Sequence, residues 1–343
     1  SSPAWDPKYI ARRPDGELWE SRNWTGENSY IIGLAKYMNG PGTERVRYTC
    51  EHYKLRETTH VDVLAYYPIR NDWDPARPAS GIKNLFEGRY KVLQEFAKYG
   101  VDVSSEALRY AFLGKISYYW NMPEPRPCPF GGKPIPLVST IYRHSALWGE
   151  GARKRSLAGR ALSMLFYNAC QHPSIETDSN YSDITDAFYL MMVPWFQVYK
   201  RKVESFRREG ERTIIALEGN SELDLHWQNQ TYKVTLAGVE VARNGCITCP
   251  LDSDRIAFYS TEATDLSTPL PKGWHAEDIS ARLLSSGAAQ PIRAIAEDGV
   301  IKASVPARRP VIIYSSFDMA AAGGRPFTGR EEREDHYSDG RKS

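Results

Sequence analysis

Asp62 and Glu106 are the residues of this 343-residue chain whose types and surroundings point most directly to chemistry. Asp62 lies in TTHVDVLAYY, a run with strand-like alternation, and Glu106 lies near the end of a second such run, VDVSSEALRY. Two carboxyls on neighbouring strand ends can divide the work of glycosidic cleavage. One attacks, or activates water, while the other gives a proton to the leaving oxygen. Side chains able to line a sugar pocket stand nearby in the sequence: His60, Asp72, Trp73, Tyr118, Trp120, Tyr142 and His144. Aromatic faces stack on sugar rings, and histidine and carboxylate groups bond their hydroxyls.

The segment between the two carboxylates must position them. Phe86, Tyr90, Leu93 and Ala97 recur at helical spacing, and Gly100 follows where a left-handed cap closes a helix. Strand, loop, helix and strand in this order make a right-handed crossover between parallel strands, so both C-terminal ends open on one face. In an α/β barrel that face carries the active site. Further strands are expected at Leu113–Trp120, ending in three aromatics, and at Leu137–Arg143, with His144 at its C-terminal end. The long loop Tyr67–Asn84 adds Arg70 and Asp74 as possible sugar contacts. A last strand at Ser174–Glu176 would bring Glu176 and Asp178 to the same face.

Helices are expected over Leu157–Ala169 and Ile184–Val198, the second kinked at Pro194. Nearer the start, residues 1–28 read as irregular surface chain and Ser29–Tyr37 as a short buried strand, although its length also suits a helix. Thr43 is a plausible N-cap for a helix burying Val46, Cys50 and Tyr53. Beyond the charged stretch Lys200–Glu211 the pattern changes. Short β-branched runs at Thr213–Leu217, Tyr232–Leu236, Val239–Ala242, Arg255–Ser260, Ile292–Ala296, Val300–Val305 and Val311–Ser315 alternate with turn signals such as Asn244-Gly245 and Asp298-Gly299. That is the signature of an antiparallel sandwich. The organisation expected is a partial (β/α) barrel over residues 1–210, holding about strands three to eight, a β-sandwich over 211–317, and a disordered charged tail over 318–343.

Composition narrows the function classes. Forty-four basic and 42 acidic residues leave a net charge of +2, which gives no electrostatic case for nucleic acid or an anionic membrane. Tyrosine (21) and tryptophan (9) are plentiful, in keeping with a carbohydrate site. No run of about 18 apolar residues is present, and the start lacks the charged and apolar regions of a signal peptide, so a secreted or periplasmic protein would have lost its leader. The odd cysteine count (5) argues against a disulfide framework, and Cys246 and Cys249 form a lone CxxC without the partners of a zinc site. Asp72, Asp74 and Asp178 could bind a metal, although their spacing is not that of a calcium loop; calcium dependence stays open, and no metal site or cofactor is assigned.

HVDVLA around Asp62, FEGRYKVLQEFAKYGVDV, SSEALRY around Glu106 and the later VTLAGVEVARNGCITCP and DRIAFYS together resemble the retaining α-glycosidases of glycoside hydrolase families 101 and 129, which act on mucin-type O-glycans. The resemblance implies Asp62 as nucleophile, Glu106 as acid/base with a raised pKa, and a (β/α)8 barrel followed by the sandwich. It also implies an oligosaccharide, polysaccharide or glycoconjugate substrate. The surroundings of Glu106 depart from the Glu-Trp pattern of the first family, and related α-galactosidase and α-glucosidase barrels share the nucleophile-first order. The sugar therefore stays open, as do endo against exo action and hydrolysis against transglycosylation. If Asp62 follows the fourth barrel strand, about 60 residues precede it where three strand–helix units need on the order of 90. A second chain or a missing N-terminal segment would then complete the barrel. The competing class is a non-catalytic carbohydrate-binding or assembly subunit.

Overall fold

The structure is a computed structural model that describes residues 6–21, 26, 28–66, 72–73, 81–122, 130–133, 135–149, 156–170, 181–285 and 288–315. The chain divides into two compact units, one of residues 1–155 and 163–176, the other of 156–162 and 177–343. Arg70, Asp74, Glu176, Asp178, the expected strand at 174–176 and the tail from 318 onward lie outside the described residues.

In the first unit, strands β1 (Glu57–His60), β2 (Val101–Ala107), β3 (Tyr118–Asn121) and β4 (Leu147–Trp148) pair in that order, each parallel to the next. The expected crossover is present, and among the described residues the four strands do not close into a barrel. Helix α3 (Gly81–Lys98) makes that crossover and ends before Gly100, whose φ of +69° is the left-handed cap read from the sequence. One of the four stripe positions departs from the one-sided reading: Phe86 and Tyr90 are half-buried and Leu93 is buried, but Ala97 is exposed. Phe86 and Tyr90 pack on Phe112 in the β2–β3 connection. A second buried row, Gly88, Val92 and Phe96, adds to the helix's contacts.

Gly88 explains that second row. Helix α1 (Leu34–Tyr37) crosses α3 so closely that a Cβ on Gly88 would lie 2.3 Å from the Ala35 nitrogen. Ser29–Tyr37 is thus not one buried strand; Tyr30 and Ile32 form isolated bridges to Glu20 and Ile10 before α1 begins. These bridges also draw residues 10–20 into the fold, with Ile10 and Ala11 buried, where irregular surface chain was expected. Helix α2 (Pro41–His52) starts at a proline, which needs no N–H at the first position, and Thr43 bonds the Met38 carbonyl instead of capping. Residues 137–143 are not a strand. Leu137–Ile141 form helix α4, with the hydroxyls of Ser139 and Thr140 both bonding the Pro136 carbonyl at 2.9 Å. Helix α5 (Leu157–Tyr167) follows the sequence stripe, burying Ala161, Leu162, Leu165 and Phe166.

The second unit opens with a continuous helical segment, α6 (Tyr181–Asp186), a π-helical turn (Ala187–Met192) and α7 (Val193–Val198). Pro194 sits in the first turn of α7, directly after the π-helical turn; its ring has no N–H to give the preceding turn, and the Leu190 carbonyl four residues back accepts the Tyr232 hydroxyl at 3.0 Å. Ten antiparallel strands then form one sheet and three form another. Most of the larger sheet is a meander running from β5 (Val203–Glu209) to β11 (Arg255–Ser260). The charged stretch expected to precede the sandwich is itself the edge strand β5, and its Glu and Arg side chains suit an edge. Asn244 and Gly245 both have positive φ (42° and 90°), as do Asp298 and Gly299 (53° and 72°), so these pairs make the tight hairpin turns expected of them. Phe258, Leu283, Val311 and Ile313 of the large sheet bury against Ile301, Ala303 and Val305 of the small one, the shared core of a sandwich. Cys246 and Cys249 are ordinary residues of a strand, Cys246–Pro250.

Replacing Gly88 by Ala tests the α1–α3 contact. Helix propensity alone favours alanine by about 1 kcal/mol, whereas forcing a methyl against backbone costs on the order of 1–3 kcal/mol. A lower urea midpoint for Gly88→Ala is expected, and a raised midpoint would contradict the close crossing.

Candidate active site

Asp62 lies just beyond β1, at the start of a turn. The strand stops at His60 because the chain bends sharply. Val63 adopts φ +61°, a left-handed conformation that a β-branched residue takes only when its surroundings impose it. Those surroundings are visible in the bonds around the turn. The fully buried Ser105 on β2 donates its hydroxyl to the Val61 carbonyl (2.9 Å) and accepts the Ala65 N–H (3.0 Å), bracing both ends. Arg89 of α3 donates Nε to the Leu64 carbonyl at 2.7 Å. Burial pushes the Arg89 pKa down to about 10, which still leaves it protonated at neutral pH. The Val63 N–H donates to the Glu106 carboxylate. Leu64 and Ala65 are buried, while Asp62 and Val63 remain exposed.

Strand register then gathers the other groups. His60 pairs with Ser104, and Ser104 with Tyr118. Since alternate residues of a strand share a face, His60, Ser104, Glu106, Tyr118 and Trp120 occupy one side of the sheet, at its C-terminal end. Ser104 is small enough for His60 and Trp120 to meet above it, their rings stacked at 4.1 Å and 22°. His60 Nδ1 is 3.1 Å from Ser104 Oγ. One oxygen each of Asp62 and Glu106 and one ring nitrogen of His60 lie within 4.8 Å of one another. Burial holds the His60 pKa below its usual value, and the Asp62 charge opposes that shift. Tyr118 is half-buried, its phenol pushed far above its ordinary range by burial, and it accepts a hydrogen bond from Cys170 Sγ at 3.6 Å.

The structure thus brings together Asp62, Glu106, His60, Tyr118 and Trp120. It does not bring the rest. Asp72 is buried; its carboxylate accepts the Arg12 N–H at 3.0 Å and sits 3.4 Å from Lys36 Nζ, so it anchors the N-terminal segment rather than facing a sugar. Trp73 is half-buried and its N–H bonds the Arg12 carbonyl at 3.0 Å. Tyr142 and His144 were placed by the sequence at the C-terminal end of a strand. Because 137–141 is helical, they fall in the turn before β4, toward the opposite edge of this parallel sheet. Ser104, Ser105, Arg89 and Val63 were not singled out in the sequence. The serines could have been, since they precede Glu106 where a strand end meets its neighbour's turn.

No protein-family model matches the chain, and no curated protein matches it. Solved structures do. The ligand-free α-N-acetylgalactosaminidase of Bifidobacterium bifidum superposes with a TM-score of 0.56 at 15% identity, over 68% of this chain and 40% of that one. The GalNAc complex of the same enzyme gives a TM-score of 0.54 at 14% identity, over 69% and 40%. The chain spans about two-fifths of that enzyme's length. At these identities the likeness shows a shared fold.

The His60 environment has a consequence for stability. A histidine whose folded pKa is depressed binds fewer protons folded than unfolded below pH 6.5, so its contribution declines as the pH falls through that value. Thermal unfolding midpoints of wild type and His60→Asn, measured from pH 7.5 to 5, should diverge in slope below pH 6.5, the wild type falling more steeply. Parallel curves would contradict the burial of a neutral imidazole.

Proposed function

We propose that the protein is a glycoside hydrolase cleaving α-linked sugars by a retaining double displacement, with Asp62 as nucleophile and Glu106 as acid/base. The observation that carries this reading is the approach of their carboxylate oxygens to within 4.8 Å at the ends of adjacent parallel strands. Retaining enzymes hold their two carboxyls about 5–5.5 Å apart, whereas inverting ones leave about 6.5–9.5 Å for a water. In the first step an Asp62 oxygen bonds to the anomeric carbon as the glycosidic bond breaks, and Glu106 protonates the departing oxygen. In the second, Glu106 takes a proton from water, which attacks the same carbon and frees Asp62.

Several features suit these roles. Asp62 is exposed on a braced turn, so it can meet a substrate without reorganising the backbone. The Trp120 ring, stacked on His60, offers an apolar edge beside the pair, and Tyr118 adds a second aromatic on the same face. Glu106 accepts from the Val63 N–H, which orients its carboxylate beside Asp62. The fold shared with an α-N-acetylgalactosaminidase supports an α-N-acetylgalactosaminide as the first substrate to assay.

Aryl α-glycosides, with the N-acetylgalactosaminide first, provide the test. Glu106→Gln should lose about 10²–10⁴-fold in kcat, the usual worth of a general acid. Asp62→Asn should lose more, and substrates with good leaving groups should suffer least from the Glu106 change. Full activity in Asp62→Asn would sink the assignment, while sugar binding without turnover in wild type would favour a carbohydrate-binding subunit.

A further inference from the structure

We propose that His60, Asp62 and Glu106 also form a three-donor site for a divalent cation of borderline softness, Zn²⁺ being the type, and that the bound cation closes the carboxylate pair to sugar. Among the described residues this is the one group of three such side chains whose donor atoms converge, all within 4.8 Å. Donors around a zinc ion stand about 3.4 Å apart for bonds near 2.1 Å. The site therefore needs a closing movement of up to about 1.4 Å, to which rotation of the exposed Asp62 side chain contributes.

The histidine is what separates this cluster from a patch of surface acids. Its ring is fixed on two sides, by the stack with Trp120 at 4.1 Å and by the Nδ1 contact with Ser104 Oγ at 3.1 Å. A ligating histidine is typically held in this way, with a hydrogen-bond partner on the nitrogen that does not bind the metal. Glu106 is likewise oriented, by the Val63 N–H on one oxygen, which leaves the other to coordinate. One nitrogen and two carboxylates suit Zn²⁺ and its neighbours in the first transition row. Ca²⁺ prefers six to eight oxygens, and Mg²⁺ an octahedral oxygen shell. Three protein donors leave a coordination position open to water, and the exposure of Asp62 gives the ion a path in. Cation binding stands on geometry alone; the exclusion of sugar rests on the glycosidase reading.

The experiment is calorimetric titration of the full chain, stripped with EDTA and dialysed, with Zn²⁺ and separately with Mg²⁺. One Zn²⁺ per chain is expected, with little Mg²⁺ binding. His60→Ala and Asp62→Asn should each weaken Zn²⁺ by at least about tenfold, and Ser104→Ala, which unties the ring along with a bond to the Thr59 carbonyl, by about 10–100-fold. Thermal unfolding in EDTA establishes that each variant is folded; Asp62→Asn changes an exposed side chain and serves if either of the others is not. Zinc affinity unchanged in Asp62→Asn or His60→Ala, or equal affinity for Mg²⁺, would overturn the site. Glycoside hydrolysis measured alongside separates the two readings. Activity in EDTA that zinc does not inhibit overturns the exclusion while leaving the enzyme assignment intact. Zinc binding lost in the variants, with no hydrolysis in EDTA, upholds the metal site and removes the glycosidase.

Discussion

Parallel pairing of β1 with β2, at the register that sets His60 opposite Ser104, is the constraint on which the candidate site depends. It fixes where β1 must end, and so where Asp62 leaves the sheet. It also carries Ser105 to the two open ends of the turn and Glu106 to the Val63 amide. A one-residue slip would turn Glu106 to the other face of the sheet and remove both serines from their partners. The turn, in its left-handed conformation at Val63, is held by bonds from β2 and from Arg89 on α3, so the carboxylate spacing follows from strand register rather than from the loop's own preferences.

The same register makes an aromatic and polar face out of alternate residues. Ser104 is the small member of that face, and its size lets a histidine from one neighbouring strand stack on a tryptophan from the other. Beyond β3 the packing remains close. Gly149, just after β4, bonds the Tyr119 carbonyl through its N–H at 2.8 Å, and a Cβ there would lie 1.9 Å from the Trp120 carbonyl oxygen. The backbone that carries Trp120 is therefore confined from both sides, by β2 and by the chain leaving β4.

What could be read from the sequence was what repeats. Helix α3 and its glycine cap, the strand holding Glu106, the parallel crossover, and the hairpin turns at Asn244-Gly245 and Asp298-Gly299 all rest on periodicity or on residues with unusual φ preferences. What failed rested on short apolar runs and on tertiary bonds. LVSTIYR has β-branched residues in strand-like proportion, but bonds to the Pro136 carbonyl turn it into α4 and move Tyr142 and His144 away from the site edge. Asp72 looked like a polar loop residue because its partners, Arg12 and Lys36, come from distant parts of the chain. The carboxylate pair itself was legible, but its bracing by Ser105, Arg89 and Val63 was not, since those bonds span 25 to 44 positions.

Retaining hydrolysis requires a covalent bond between the sugar and Asp62. Incubation with an activated fluorinated α-glycoside, which slows the second displacement more than the first, followed by mass spectrometry of the proteolysed protein, would reveal that bond. A single sugar adduct is expected on the peptide containing Asp62, formed at the rate at which activity is lost. An adduct on another carboxylate, or turnover of the parent glycoside with inversion at the anomeric carbon, would contradict retention through Asp62.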